Sequence, residues 1–355
     1  WRVRVRVIPY APNPFGGSIR MGYRPGSRAI YSTYLSSEGT CSMLTAAQKQ
    51  SFADTGHLVL PSVLGGDLLR RLTVEYETVL DAVVDRAIAV GELSNRPEGD
   101  FLTRLRAVHQ AGVDWFQSLD ISLPNTEITA DTPFHIGPAV FELMTSRVIL
   151  DTVESLISDE IVSNPIQHIR LKPPAGELAA DENRAHVGLT AWHQDRGVAH
   201  AEADQTEMVT VWVAVTEATV ENGCLVVIPG PVNDGLLEHC PAGQTHIPDA
   251  LLDADRATAL PVPAGSLVLL HPSIPHASLP NTSDVMRWSF DLRYHKRGDA
   301  SGRAHFPSFV VRSRSHDCVA DWQAMHTAWA DARADLARRP HIELHRWDGD
   351  APVCA

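Results

Sequence analysis

Three observations predict a mainly β protein with flanking α-helices, its core a jelly roll (a cupin-like, double-stranded β-helix). Apolar residues recur at helical spacing through the first half of the chain, to about residue 157. After residue 160 the rhythm switches to short period-two runs closed by Gly and Pro, the pattern of strands stacked in two layers. The length of 355 residues, 44% hydrophobic and 21% charged, suffices for a large core in one elaborated domain.

Each element has its own signature. Trp1 to Val7 alternates as a strand does, and six arginines (Arg2, Arg4, Arg6, Arg20, Arg24, Arg28) precede the first acid, Glu38. With Gly and Pro frequent from Pro9 to Gly26, residues 1–42 read as an N-terminal extension or leader with an edge strand. Met43 is the expected natural start. Thr45-Ala46-Ala47-Gln48 is a capping box, so a helix opens there and stops at Gly56. Residues 57–61 form a short strand. Leu68, Leu72, Tyr76, Val79, Val83 and their neighbours mark an amphipathic helix over 66–89. Further helices are expected over 101–118 and 139–157.

The strands follow: 161–172, broken by Pro173-Pro174; 207–216; a turn at Glu221-Asn222-Gly223; 224–228; then 259–263, 265–271 and 286–295. Loops at 177–189 and 231–258 are placed to shape specificity. A last helix is expected over 319–338. The organisation is a helical buttress (43–160), a jelly-roll core (161–300) and a C-terminal extension (301–355) packing on the same domain.

Composition narrows the function. A net charge of −13 argues against a nucleic-acid partner. No apolar run approaches the ~20 residues of a membrane-spanning helix. Five scattered cysteines without a Cys-x-x-Cys suggest neither a zinc site nor a disulfide framework, and a reducing cytoplasm is the expected location. The expected assembly is a monomer or homodimer.

The chemistry centres on Trp192-His193-Gln194-Asp195. In extended backbone, residues two apart point the same way, so His193 and Asp195 can grip one ion while Gln194 faces away. Residues 266–281 supply further histidines, His271 and His276. Two histidines, one carboxylate and open positions make the facial triad of non-haem Fe(II) oxygenases. Beyond them, Arg287, Ser289, Asp291 and Arg293 alternate with Trp288, Phe290, Leu292 and Tyr294. Four polar side chains turned into a barrel need partners there, the competing reading being a solvent-facing edge strand. Asp291 and Arg293 are expected to form an internal ion pair. The same logic groups His168, Arg170 and Lys172 on one strand face and Thr210, Trp212 and Ala214 on another.

In these motifs the chain resembles the phytanoyl-CoA dioxygenase (PhyH) family of Fe(II)/2-oxoglutarate oxygenases. The resemblance runs in order from Leu44–Leu60 through Leu171-Lys172-Pro173-Pro174, Trp192–Asp195, Trp212 and Glu221–Gly230 to His276-Ala277-Ser278, Asn281 and Arg287. It implies that His193, Asp195 and His276 bind Fe(II), with 2-oxoglutarate and O2 in the remaining positions. Spacing to Arg287 favours His276 over His271 as the distal ligand. Arg287 and Ser278 would hold the far carboxylate of 2-oxoglutarate, with Trp212 and His168 as further co-substrate contacts. Gln194, Arg170, Lys172 and Ser289 are candidates for the substrate side or the surroundings of the ligands. Ascorbate is the expected reductant. No side chain beyond the metal centre is expected to act as a catalytic acid or base. Related halogenases replace the carboxylate with a small residue, so Asp195 disfavours halogenation. The resemblance therefore implies hydroxylation of an unactivated C–H bond, with desaturation, epimerisation or cyclisation by the same machinery as the alternative. A non-catalytic jelly roll that binds a metal or ligand is the alternative of another class.

Overall fold

The computed structural model describes residues 6–7 and 44–354, except 125–126, 181, 183, 234, 242 and 340–345. Most of the expected leader, and Met43, lie outside the described residues. Arg6–Val7 (β1) is a strand, paired in parallel with Thr258 and Ala259.

The helical half comes first. Helix α1 (Ala46–Thr55) opens with the capping box: Gln48 N–H donates to the Thr45 hydroxyl, and the Thr45 N–H donates to the Gln48 side chain. It ends on Gly56 at φ +69°, a left-handed cap that a Cβ would disfavour. Strand β2 (His57–Leu60) follows, then α2 (Gly66–Ala89), with Leu68, Leu72, Tyr76, Leu80, Val83, Val84 and Ala87 buried along one stripe.

The two later helices expected from periodicity are each split. Residues 101–118 give α3 (Phe101–Gln110) and α4 (Phe116–Leu119), parted where Gly112 takes φ +77°. Residues 139–157 give α5 (Pro138–Met144) and α6 (Arg147–Glu154), parted at Thr145-Ser146. There the Thr145 hydroxyl donates back to Phe141 O and Ser146 leaves helical geometry.

The strands are β3 (Ile161–Ser163) and β4 (His168–Lys172), followed by the one-turn helix α7 (Asp195–Val198). Then come β5 (Met208–Ala214), β6 (Leu225–Val227), β7 (Thr258–Leu260), β8 (Leu267–Leu270), β9 (His276–Ser278), β10 (Arg287–Lys296) and β11 (Phe309–Arg312). Helix α8 (Trp322–Leu336) closes the regular structure. The run expected as one strand over 161–172 is two, because Pro165 lacks the N–H to continue the ladder.

Two sheets face each other. One runs β11-β3-β10-β5-β8-β2, with β4 sharing the β3 flank of β10; the other runs β1-β7-β6-β9. Between them lies a core that includes Ala214, Leu225, Val227, Val268, Leu270 and Ile274. This is the predicted jelly roll: mainly β, with helices packed on the outer face of the larger sheet.

Strand β10 is central, not an edge. Its odd side, Arg287, Ser289, Asp291 and Arg293, is buried toward the interior. Its even side, Trp288, Phe290, Leu292 and Tyr294, joins the helical core. There Tyr76 meets Trp288 edge-on at 5.2 Å, and the Tyr294 hydroxyl donates to Met144 O at 2.8 Å.

One expectation is overturned: Cys240 and Cys354 form a disulfide, with Cα atoms 5.6 Å apart. The sequence hid it because the two are 114 residues apart and meet only when the C-terminal tail folds over the 231–248 loop. Cys224 and Cys318 are free. No helix among the described residues is long and apolar enough to cross a membrane.

Candidate metal centre

Strand pairing assembles the centre. His193 N–H donates to His276 O at 3.0 Å and His276 N–H donates to His193 O at 2.9 Å, a two-residue antiparallel bridge beside β9. The backbone of Gln194 is extended (φ −107°, ψ 138°), so its flanking side chains share one side, and Asp195 opens α7. One ligand atom from each of His193, Asp195 and His276 lies within 4.8 Å of the others, and all three residues are buried. Asp195 Oδ1 is 3.7 Å from His193 Nε2 and 3.8 Å from His276 Nε2.

The donor set fits a divalent ion. His193 Nδ1 donates to Ala191 O at 2.8 Å and His276 Nδ1 donates to Ile274 O at 3.0 Å. In that tautomer both Nε2 lone pairs point toward the carboxylate. Burial pushes the His276 imidazole down to about 4, so it is neutral as a ligand must be. Burial opposes charge on Asp195, but the Arg293 guanidinium outweighs it and holds the carboxyl well below the usual carboxylate range. Asp195 Oδ2 accepts from the Thr210 hydroxyl at 2.5 Å, and Oδ1 accepts from Arg293. His271, the rival ligand, has Nδ1 on the Ser273 hydroxyl at 2.7 Å and is not among the clustered ligands.

Gln194 does turn away from the ligands. Its amide nitrogen donates to Ser273 O and Gly235 O, and its oxygen accepts from the Leu237 N–H at 2.8 Å. The Gln194 backbone N–H donates to His239 Nε2 at 3.0 Å. Sequence reasoning left His239 as an ordinary loop histidine; it in fact fixes the backbone between two ligands.

A second corner lies along β10. Arg287 is buried, stands over Trp212 at 5.3 Å and donates to Gly223 O at 3.0 Å. Gly223 takes φ +88°, and a Cβ there would strike Leu279 O at 2.5 Å. Opposite Arg287 on β4 is Lys172, whose Nζ donates to the Ser278 hydroxyl at 2.5 Å and to Leu279 O at 2.8 Å. No acid pairs with either cation among the described residues. Burial, then Arg170, pushes Arg287 down to about 9; burial, then Arg287, holds Lys172 well below the usual amine range. Trp212 Nε1, Arg287 Nε and Ser289 Oγ are buried without a hydrogen-bond partner. Two crowded cations and unpaired donors fit the far carboxylate of a dicarboxylic acid.

Two expectations are corrected. His168 does not join Arg287: in the β4–β10 register it sits opposite Asp291, four residues away, with Nδ1 on Asp120 at 2.8 Å. Lys172, expected as a substrate-side candidate, is the β4 residue that stands opposite Arg287. Asp291 and Arg293 do not pair with each other. They are successive inward residues of one strand, and better-aimed partners lie on other elements: Asp291 pairs with Arg170 of the neighbouring β4 at 2.6 Å and Arg293 with Asp195 of α7.

A jelly roll in which two histidines and a carboxylate converge defines the class: a protein whose buried ligand atoms could hold a metal ion in the manner of a facial triad. Residues 100–289 match the phytanoyl-CoA dioxygenase (PhyH) family, and the chain belongs to it. A phytanoyl-CoA dioxygenase domain-containing protein 1 homolog of Caenorhabditis elegans is 35% identical over 98 residues, 24% of this chain and 34% of that protein. An L-proline trans-4-hydroxylase of Streptomyces griseoviridis is 26% identical over 186 residues, 46% of this chain and 67% of that one. The chain spans about a third of the length of the first curated relatives it matches. Among solved structures, the non-heme monooxygenase ThoJ in its apo form shares the fold at a TM-score of 0.51 and 18% identity, over 82% of this chain and 99% of that one.

Proposed function

We propose that the protein is an Fe(II)/2-oxoglutarate-dependent dioxygenase that hydroxylates an unactivated C–H bond of a small organic molecule. The observation that carries this is the pairing of two sites. Two histidines and Asp195 present convergent ligand atoms beside a buried corner where Arg287 and Lys172 have no acid partner among the described residues. A metal-binding module needs the first site; the second adds a place for a dicarboxylate co-substrate. Iron would be held by His193, Asp195 and His276, and 2-oxoglutarate's far carboxylate by Arg287, Lys172 and Ser278. With both bound, the reaction splits O2, placing one oxygen atom in succinate as CO2 leaves and the other in the substrate.

The protein's own share is orientation. Thr210 and Arg293 hold Asp195, the Nδ1 bonds fix both rings, and Gln194 with His239 locks the strand between the ligands. Hydroxylation is favoured over desaturation or cyclisation by the relative named L-proline trans-4-hydroxylase. The helical buttress, jelly roll and C-terminal extension act as one unit on a small molecule, as monomer or homodimer, without a nucleic-acid partner.

The test is anaerobic titration of 2-oxoglutarate into Fe(II)-loaded protein. A metal-to-ligand charge-transfer band should appear, and succinate should form on adding air and ascorbate. His276→Ala should lose both the band and the succinate. A folded, iron-loaded wild type without the band would leave the non-catalytic reading.

A further inference from the structure

Beside the metal ligands lies a cavity of about 570 Å³ whose wall includes His193, His168, Arg170, Arg293, Arg303 and Phe306. Arg287, Lys172 and Ser278 of the proposed co-substrate corner do not belong to its wall. Its size suits one small organic molecule.

The charges of the wall do not balance. Arg170 is engaged by Asp291, Ala185 O and the Thr190 hydroxyl. Arg184 is engaged by Glu182 and Asp114. Asp120 accepts from His168 and from the Ile121 and Ile169 N–H groups, and burial pushes its carboxyl up to about 7. Arg303 is different. It is 3% exposed, and among the described residues its guanidinium donates to the carbonyls of Gly302 and Val198, at 3.0 and 2.7 Å. No carboxylate pairs with it among the described residues; Glu202, on the surface, acts on it without contact. Burial, then the charge of Arg293, pushes Arg303 down to about 10. Arg293 itself leaves Nε and Nη1 buried without a partner, its remaining bond going to Asp195. A divalent ion on Asp195 would take up that carboxylate's charge and leave Arg293 still less compensated. A buried guanidinium without an acid partner among the described residues, beside a second with two unbonded donors on the same cavity wall, calls for an anion.

We infer that the substrate is a small organic acid whose carboxylate is held by Arg303 and Arg293, with its apolar body against Phe116, Ile166 and Phe306. The described lining has no lysine, so the donors are arginine forks, which match a planar carboxylate. The inference deepens the oxygenase reading and rests on it for what becomes of the bound acid.

Binding is measured by calorimetry on protein loaded with Ni(II) and saturating 2-oxoglutarate, so that the co-substrate corner is filled. The probes are acetate against acetamide and phenylacetate against phenylacetamide, with inorganic phosphate as a third arm. At least one acid should bind about tenfold or more tightly than its amide, as a charge-assisted hydrogen bond implies. Arg303→Gln should erase the preference and Arg303→Lys restore part of it, both with unchanged 2-oxoglutarate affinity. Equal affinities in both pairs, phosphate binding tighter than either acid, or a preference that survives in folded Arg303→Gln would each overturn the assignment. Should Arg303→Gln not fold, the wild-type pairs and Arg303→Lys decide. Failure of the oxygenase reading is seen separately, as absence of the charge-transfer band.

Discussion

Single side chains here are set by what their other atoms do. His193 and His276 resemble any buried histidine until their Nδ1 bonds to Ala191 O and Ile274 O are seen; those bonds turn both Nε2 atoms toward Asp195. Arg287 likewise matters through its orientation: one Nη is fixed on Gly223 O and the Nε is left open. Arg287→Lys keeps the charge but loses the fork. It should weaken 2-oxoglutarate binding about tenfold to a hundredfold in the anaerobic charge-transfer titration. Lys172→Met should weaken it in the same direction while leaving metal affinity unchanged. A Lys172→Met protein with wild-type 2-oxoglutarate affinity would remove Lys172 from the corner.

Elements transmit that order. Helix α7 is one turn long, and Gly197 within it faces the His239 ring so closely that a Cβ would lie 2.4 Å from it. Gly197→Ala should push His239 off the Gln194 N–H and lower metal affinity several-fold, read by competition with a chelator; unchanged affinity would leave His239 a packing residue. The C-terminal tail braces the same ring from behind. Trp347 stacks on His239 at 4.9 Å and donates to Gly197 O at 2.6 Å, and the Cys240–Cys354 bond ties the tail to the loop. Cys354→Ser should cost roughly 2–4 kcal/mol in urea unfolding, as expected for a bond closing a long loop. A reductant should destabilise the wild type by a similar amount and leave Cys354→Ser unaffected.

Across the whole molecule the buried histidines couple stability to pH. Burial pushes His168 down to about 3, and His239 and His295 to about 4. The unfolded chain takes up these protons near pH 6.5, before the folded one does. Their contribution is therefore full above that pH and is lost as pH falls toward 4. Asp120, pushed up to about 7, runs the other way and offsets part of the loss. The urea midpoint of the metal-free protein should fall on acidification from pH 7 to 4, and His295→Asn should flatten the slope. A midpoint that does not move would show the histidines to be reached by protons in the folded state.

Much of this was legible in the chain because it depends on local periodicity. The 66–89 helix, the capping box at Thr45, the alternation along β10 and the His-x-Asp geometry follow from backbone repeat lengths that any segment of that pattern shares. The sequence by itself thus determined a jelly roll with helical buttresses, and which residues of each strand share a face. Tertiary structure alone decided who meets whom between elements. It put Lys172 rather than His168 beside Arg287, gave Asp291 to Arg170 and Arg293 to Asp195, and brought Cys354 to Cys240 across 114 residues. It also decided which arginines remain without an acid. Periodicity fixes the side of a strand on which a charge lies; strand register and loop closure fix its distance to every other charge, and electrostatic pairing depends on that distance.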